Sequence, residues 1–397
     1  MIPQSSVVNS FKLYFSNFNR WTFLVAILTG TVYYLVFDFL RWNQYDSASY
    51  EAGARLLFGL EGGADLQGRM SKPLALLFPG LCEFAFGINA RYGFLIQSGI
   101  CYVLLVFLWK GILKNLEFSE DMQKMGILML VMSQPFAVFS FGILADFPGW
   151  CCMLWLIYIY TQRSLSFRWL WVVAVTFIGL LVKESIFVGI VFVFVSDSLD
   201  KRILLKKKLI NGIFIGLTVI LSQLIIIQID FGGLIDRQSD IIQWGSLFNQ
   251  HSYRELFQIW RAFDGTWWFF IVAIFSLRNN ERRYTFLLNS KISMLLCFIL
   301  IPFIHPACLY DRILFMFFPM VFLVSLYYLQ KKPFIFSTSL VTVNGLLSIG
   351  ATFFIYQYNF SGAFLISFLI SIMIPFSLIL NEIFKNKNLI SFCKKQN

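Results

Sequence analysis

Residues 21–40 read "WTFLVAILTGTVYYLVFDFL", and residues 41–80 follow with "RWNQYDSASYEAGARLLFGLEGGADLQGRMSKPLALLFPG". The first stretch is a run of about 20 largely apolar residues, the length a helix needs to cross a hydrocarbon core of roughly 30 Å. It follows Lys12 and Arg20, as the apolar region of a signal peptide would. It is longer than such a region and ends in bulky residues with no small-x-small cleavage site, so it reads as an uncleaved first transmembrane helix. The second stretch carries charges, glycines and an Asp-x-x-x-Tyr step, and it lies between segments suited to lipid.

The rest of the chain resembles the first stretch more than the second. Of 397 residues, 58% are hydrophobic and only 13% charged, and mean hydropathy is +0.72. Soluble domains carry about 25% charged and 45–50% apolar residues. The composition therefore predicts an all-α integral membrane protein, a polytopic helical bundle forming a single transmembrane domain over residues 1–397. About twelve segments can span or partly span by length and apolarity: 21–40, 91–109, 125–143, 147–162, 169–182, 184–196, 209–229, 263–277, 292–306, 313–330, 334–356 and 362–381. A further stretch, 73–88, is interrupted by Pro79, Gly80 and Glu83 and reads as a membrane-edge or re-entrant helix.

The net charge of +11 is spread over many short loops. That distribution fits the positive-inside bias and contact with anionic headgroups, and argues against nucleic acid as a partner. The basic loops alternate with the proposed spans, which predicts both termini on the cytoplasmic side. Two loops on the opposite side, 41–72 and 230–262, are long and polar. Loops of that length are usually functional or disordered. The first has helical apolar spacing at Tyr50, Ala54, Leu57 and Phe58, which predicts an amphipathic helix on the membrane surface. The seven cysteines form no CxxC pair or disulfide framework, and two histidines, His251 and His305, exclude a His-rich metal site.

Charges near membrane depth are costly and mark candidate sites. On the outer side they fall at Asp38 and Asp46, at Arg69 and Lys72 in "GRMSKP", at Asp146 in "GILADFPGW", at Lys183–Glu184 in "LLVKESIF", and at Asp311–Arg312 in "HPACLYDRILFMFFP". Lys183–Glu184 lies at the apex of two half-length apolar runs of roughly 20 Å each, so the apex is expected below the outer headgroups. All these elements lie on one membrane face and can converge. One carboxylate as general base with fixed cations for a phosphate is the chemistry that such a set supports. A carboxylate pair would also suit a divalent cation, Mg or Mn.

Each residue has a plainer reading. Asp46 could cap the helix that follows, Asp146 could be a turn residue, and Lys183–Glu184 could be an internal ion pair. Asp311–Arg312 could snorkel, and Arg69 and Lys72 could touch headgroups. Glu51 and Arg55, at i and i+4, look like a surface helix pair. Asp38 and His305 read as bundle and interfacial residues, and Trp42, Tyr45, Trp244, Trp267 and Trp268 as an aromatic belt.

At these residues the sequence resembles the glycosyltransferase C superfamily, polytopic enzymes that take a sugar from a polyprenyl-phosphate donor on the outer membrane face. "YDSASYEAGARLLFG" is similar to the first outer loop of that family, with its acidic residue just past the first helix, and "GRMSKPLALLFPG" resembles the Pro-containing step that follows. "ADFPGW" resembles the second acidic position, "LLVKESIFVGIVFV" the Lys-containing hairpin, and "YDRILFMFFP" the later Arg…Pro segment. The resemblance covers about residues 20–330 and implies a glycosyltransferase-C-like catalytic core at about 20–230, including the 41–72 loop, with 231–397 supplying a further outer loop and C-terminal helices.

It implies an inverting glycosyltransferase with Asp46 as general base, Asp146 as second acidic residue, and Lys183 or Arg312 on the donor phosphate beside Arg69 and Lys72. Tyr50, Glu184 and Asp311 are further candidates. It also implies a bacterial plasma membrane, with the site on its outer face and a lipid, glycan or protein as acceptor. Asp46 is followed by Ser rather than by the acidic partner of the protein mannosyltransferase branch, which leaves metal dependence open. Two alternatives stand beside this reading. One is a polysaccharide polymerase or O-antigen ligase using Arg237, Arg254 and Arg261. The other is a transporter or lipid-linked-sugar flippase, which would place polar groups near helix centres.

Overall fold

A computed structural model describes residues 19–38, 46–60, 69–162, 167–229, 265–276 and 314–358, together with the isolated positions 165, 262, 263, 292, 293, 296, 369 and 372. Every element among the described residues is helical. In chain order they are α1 (Arg20–Val36), α2 (Ser47–Leu56), α3 (Pro73–Phe86), α4 (Ala90–Asn115), α5 (Glu120–Val131), α6 (Gln134–Phe139) and α7 (Asp146–Thr161). There follow α8 (Arg168–Val182), α9 (Ile186–Leu199), α10 (Leu205–Ile229), α11 (Thr266–Ser276), α12 (Phe318–Leu329) and α13 (Phe334–Tyr358). Short 3-10 turns at Arg69–Ser71 and Phe315–Phe317 lead into α3 and α12.

Among the described residues three helices are long and apolar enough to cross a membrane: Ala90–Asn115, Leu205–Ile229 and Phe334–Ile355. Five shorter apolar helices accompany them. The packing of α10 shows what solvent this surface is built for. Its buried stripe is Asn211, Ile215, Thr218, Ser222 and Ile226, spaced as one helical face. Its exposed face carries Ile213, Leu217, Ile220 and Leu224, each more than half exposed. Polar groups inside and aliphatic groups outside reverse the pattern of a helix in water and match one surrounded by lipid.

The centre of the molecule is α7, packed along α4, α8 and α9. It is buried on almost every side from Asp146 to Ile159, as is α12 along its whole length. Helices apolar all round are core helices. Aromatic rings join them: Tyr102 lies 4.7 Å from Phe136, Phe136 lies 5.0 Å from Phe147, and Trp150 meets Phe315 at 4.9 Å.

Several boundaries differ from the sequence expectation. The run 125–143 is not one span: α5 ends at Val131 and a new helix starts at Gln134, with Pro135 in its first turn, where a missing N–H costs no intrahelical bond. The stretch 73–88 is a continuous helix through Pro79, ended by Gly87 in the left-handed conformation at φ 66°. Glu83 does not interrupt it. Its carboxylate accepts from the backbone N–H of Ala90 at 3.0 Å and pairs with Arg55 at 3.1 Å, tying α2, α3 and α4 together. Asp146 lies in the first turn of α7 rather than in a turn before it. The proposed spans 292–306 and 362–381 lie outside the described residues, apart from isolated positions.

Candidate functional site

The first helix ends at Val36, and α2 packs along α3, against Leu76, Gly80 and Glu83, and touches α4. It can lie close because its inward face is mostly small: Ser47, Ser49, Ala52, Gly53 and Ala54 are buried with Tyr50. Asp46 occupies the N-cap position of α2, yet its side chain makes no capping hydrogen bond. Its Oδ1 instead accepts from Nη2 of Arg69 at 2.6 Å. The plainer reading of Asp46 as a helix cap is therefore not what the geometry gives.

Arg69 and Lys72 enter from the 3-10 turn and the N-cap of α3. Pro73 directly after Lys72 opens that helix, so the two cations are held on a stiff step. Both lean on Tyr50. The Arg69 guanidinium lies 4.8 Å from the ring centroid, and the Lys72 ammonium lies 5.8 Å from it. Lys72 also donates to the Tyr50 hydroxyl at 3.4 Å and pairs with Glu184 at 3.2 Å.

Glu184 and Lys183 belong to the three-residue link between α8 and α9. Lys183 donates to Oδ1 of Asp146 at 2.6 Å. Burial is close to complete for this pair, whose side chains are 8% and 1% exposed. Asp146 also sits where the α7 N-terminus favours negative charge.

The approach of the link to α7 depends on Gly149, three residues after Asp146 on the same helical face. A Cβ at Gly149 would lie 2.5 Å from Oγ of Ser185 and 2.7 Å from Cβ of Lys183. Sequence reading missed this residue; its spacing from Asp146 was the signal available. Gly149→Ala is expected to push the link away and cost about 1–3 kcal/mol, the usual scale for overpacking. Thermal unfolding of the detergent-solubilised chain measures this, and an unchanged melting temperature would show that the link has room to give.

The two halves of the site meet at Tyr50. Burial alone would push its phenol up. Lys72, Lys183 and Arg69, the first two contributing most, pull the other way against Asp146, and the net direction is below the ordinary tyrosine value. The phenol therefore stands in the field of groups from both halves. The sequence Asp46–Arg69–Tyr50–Lys72–Glu184, continued by Lys183–Asp146, is one connected polar face built from four separated segments.

Other expected residues fall elsewhere. Glu51 and Arg55 do not pair with each other. Glu51 takes Arg91 at 2.6 Å and Arg55 takes Glu83, because α2 packs against helices that offer those partners. Asp38 is exposed at the end of the first helical segment. Trp267 is half-buried and stacks on Phe263 at 5.6 Å against the apolar core. Asp311, Arg312, His305, Trp42, Tyr45, Trp244 and Arg237, Arg254 and Arg261 lie outside the described residues.

The described carboxylates are engaged one by one by cations and do not gather as a ligand set for a divalent ion. Asp46, Asp146 and Glu184 each already meet a guanidinium or ammonium group, and no group of three or more His, Cys, Asp or Glu that could hold a metal occurs among the described residues. Comparison of the chain with protein-family models, with curated proteins and with solved structures finds no match.

Proposed function

We propose that this chain is a membrane glycosyltransferase that moves a sugar from a polyprenyl-phosphate-linked donor to a lipid, glycan or protein acceptor. The observation that carries the reading is the gathering of Asp46 and Asp146 with Arg69, Lys72 and Lys183 around buried Tyr50. A site of this kind offers a carboxylate for a proton and fixed cations for a leaving phosphate, the two things that glycosyl transfer from such a donor needs.

In the proposed step Asp46 accepts the proton of an acceptor hydroxyl. The acceptor oxygen forms a bond to the anomeric carbon from the face opposite the phosphate. The bond from that carbon to the phosphate oxygen breaks, and its electron pair leaves with the polyprenyl phosphate. Arg69, Lys72 and Lys183 hold the departing charge, and the anomeric configuration inverts. Asp146 keeps Lys183 oriented, and Glu184 does the same for Lys72.

The reading includes a bundle of about twelve spans with both termini cytoplasmic and the site on the outer face of a plasma membrane. The sequence resemblance supports it, as do the apolar outer faces of the helices.

Membranes containing the chain, given a panel of radiolabelled polyprenyl-phosphate sugars, are expected to form a covalent glycosylated product from at least one of them. Movement of donor across the bilayer without any product would replace this reading by a flippase.

A further inference from the structure

The inference here rests on the phosphate-donor reading above. Four helices begin at the polar face: α2 behind Asp46, α3 behind Lys72, α7 at Asp146 and α9 behind Ser185. Ion pairs hold these ends together. Arg69, in the turn before α3, takes Asp46; Lys72 takes Glu184, just before α9; and Lys183 takes Asp146. The helices run for 10, 14, 16 and 14 residues, and none has a side-chain hydrogen bond capping its first turn. A helix N-terminus favours negative charge. The carboxylates of Asp46, Glu184 and Asp146 meet part of that preference.

Converging helix ends favour an anion without holding it in one orientation. Ser185 adds a directed donor. It is 3% exposed, and its Oγ has no hydrogen-bond partner among the described residues. Serine is common at an N-cap because its oxygen accepts from an N–H two or three residues on, with the cap backbone extended. Ser185 lies at φ −56° and ψ −21°, already helical, and makes no such bond. The N–H groups of Ile186, Phe187 and Val188 instead donate to the carbonyls of Lys183, Glu184 and Ser185, so the first turn of α9 has no need of the hydroxyl.

Other buried serines turn to a carbonyl three or four residues back. Ser133 donates to Leu130 at 2.6 Å, Ser140 to Ala137 at 2.9 Å and Ser325 to Val321 at 2.8 Å. Ser185 does neither, and a buried hydroxyl without a partner is costly. Its Oγ stands against the first turn of α7, where a Cβ on Gly149 would lie 2.5 Å from it. Gly149 and Asp146 share that helical face. The hydroxyl is therefore placed between the N-termini of α7 and α9, on the same link as Lys183 and Glu184.

We propose that Ser185 is a ligand of the donor phosphate, donating its O–H to a non-bridging oxygen while Lys183 supplies the charge. A lysine ammonium is a point charge with three rotatable donors and orients an anion loosely. A hydroxyl fixed at the end of α9 sets which phosphate oxygen faces the link.

The test reads binding and requires no sugar transfer. Farnesyl phosphate is titrated by calorimetry into the full purified chain in detergent, as wild type, Ser185→Ala and Ser185→Cys. Ser185→Ala is expected to bind about tenfold more weakly, the scale of one hydrogen bond to a charged group. Ser185→Cys fills similar space with a much weaker donor and is expected to lose nearly as much. The melting temperature of Ser185→Ala without ligand is expected to equal or exceed that of wild type, because the substitution removes a hydroxyl that bonds nothing in the fold.

Unchanged affinity in Ser185→Ala would overturn the proposal and leave the donor reading standing. A lower melting temperature would also overturn it, since the hydroxyl would then be bonded within the protein. Full binding by Ser185→Cys would mean that the space matters and the O–H does not. Titration with inorganic phosphate and with phosphatidylglycerol separates the sources of the phosphate. Either one binding wild type as tightly as farnesyl phosphate, with the same loss in Ser185→Ala, would take the donor away from Ser185. If wild type does not bind farnesyl phosphate, the donor reading itself falls.

Discussion

Asp46→Asn is expected to lower sugar transfer by roughly 10²–10⁴-fold, the usual contribution of a positioned general base. The substitution keeps the size of the side chain and one oxygen for Arg69, so the loss falls on proton acceptance. It should appear in initial rates at saturating donor, with folding verified by the melting curve. Donor binding should not weaken. That combination distinguishes a base from a residue that only supports the loop, since loss of support would weaken both. Equal rates for the two proteins would remove Asp46 from the mechanism and turn attention to the arginines of the 230–262 loop.

The second large effect concerns stability. Lys183→Met leaves the Asp146 carboxylate buried without its ammonium partner, and breaking a buried pair from one side costs about 3–5 kcal/mol. The double variant Lys183→Met with Asp146→Leu replaces both charges by apolar groups of similar size, and such replacements are often close to neutral. Thermal unfolding in detergent should therefore show a marked drop for the single variant and a substantial recovery for the double one. Recovery of stability without recovery of transfer is the expected signature of a pair used for chemistry. If the double variant melts as low as the single one, the Lys183–Asp146 contact is not what holds the α8–α9 link against α7.

Much of this arrangement could be read from the chain. The apolar runs marked most helices because lipid-facing and core helices share one signal, a run nearly free of charge, whatever its length. The charged residues at their ends stood out for the same reason: each is expensive near lipid unless it has a partner. The sequence placed Asp46, Arg69, Lys72, Asp146 and Lys183 on one face, and the structure brings their side chains together.

The partners were harder to read. Periodicity reports neighbours along one helix, so it paired Glu51 with Arg55. The fold pairs each with a residue on another helix, Arg91 and Glu83. The role of Pro79 is not legible in the same way, because its cost to the helix is local while the close approach of α4, where Gly93 lies against the Pro79 backbone, comes from the fold. Gly149 escaped notice because a missing side chain leaves no mark in composition.

The hairpin of α8 and α9 has one more consequence. Helices of 15 and 14 residues reach about 22 Å at 1.5 Å per residue, short of a core about 30 Å thick. A bilayer accommodates so short a pair by thinning around it, by flanking residues reaching to the interface, or by association of the pair with other helices. Under the membrane reading proposed above, lipids with longer acyl chains are expected to load this hairpin and those with shorter chains to relieve it, and with it the ion pairs of Lys183 and Glu184.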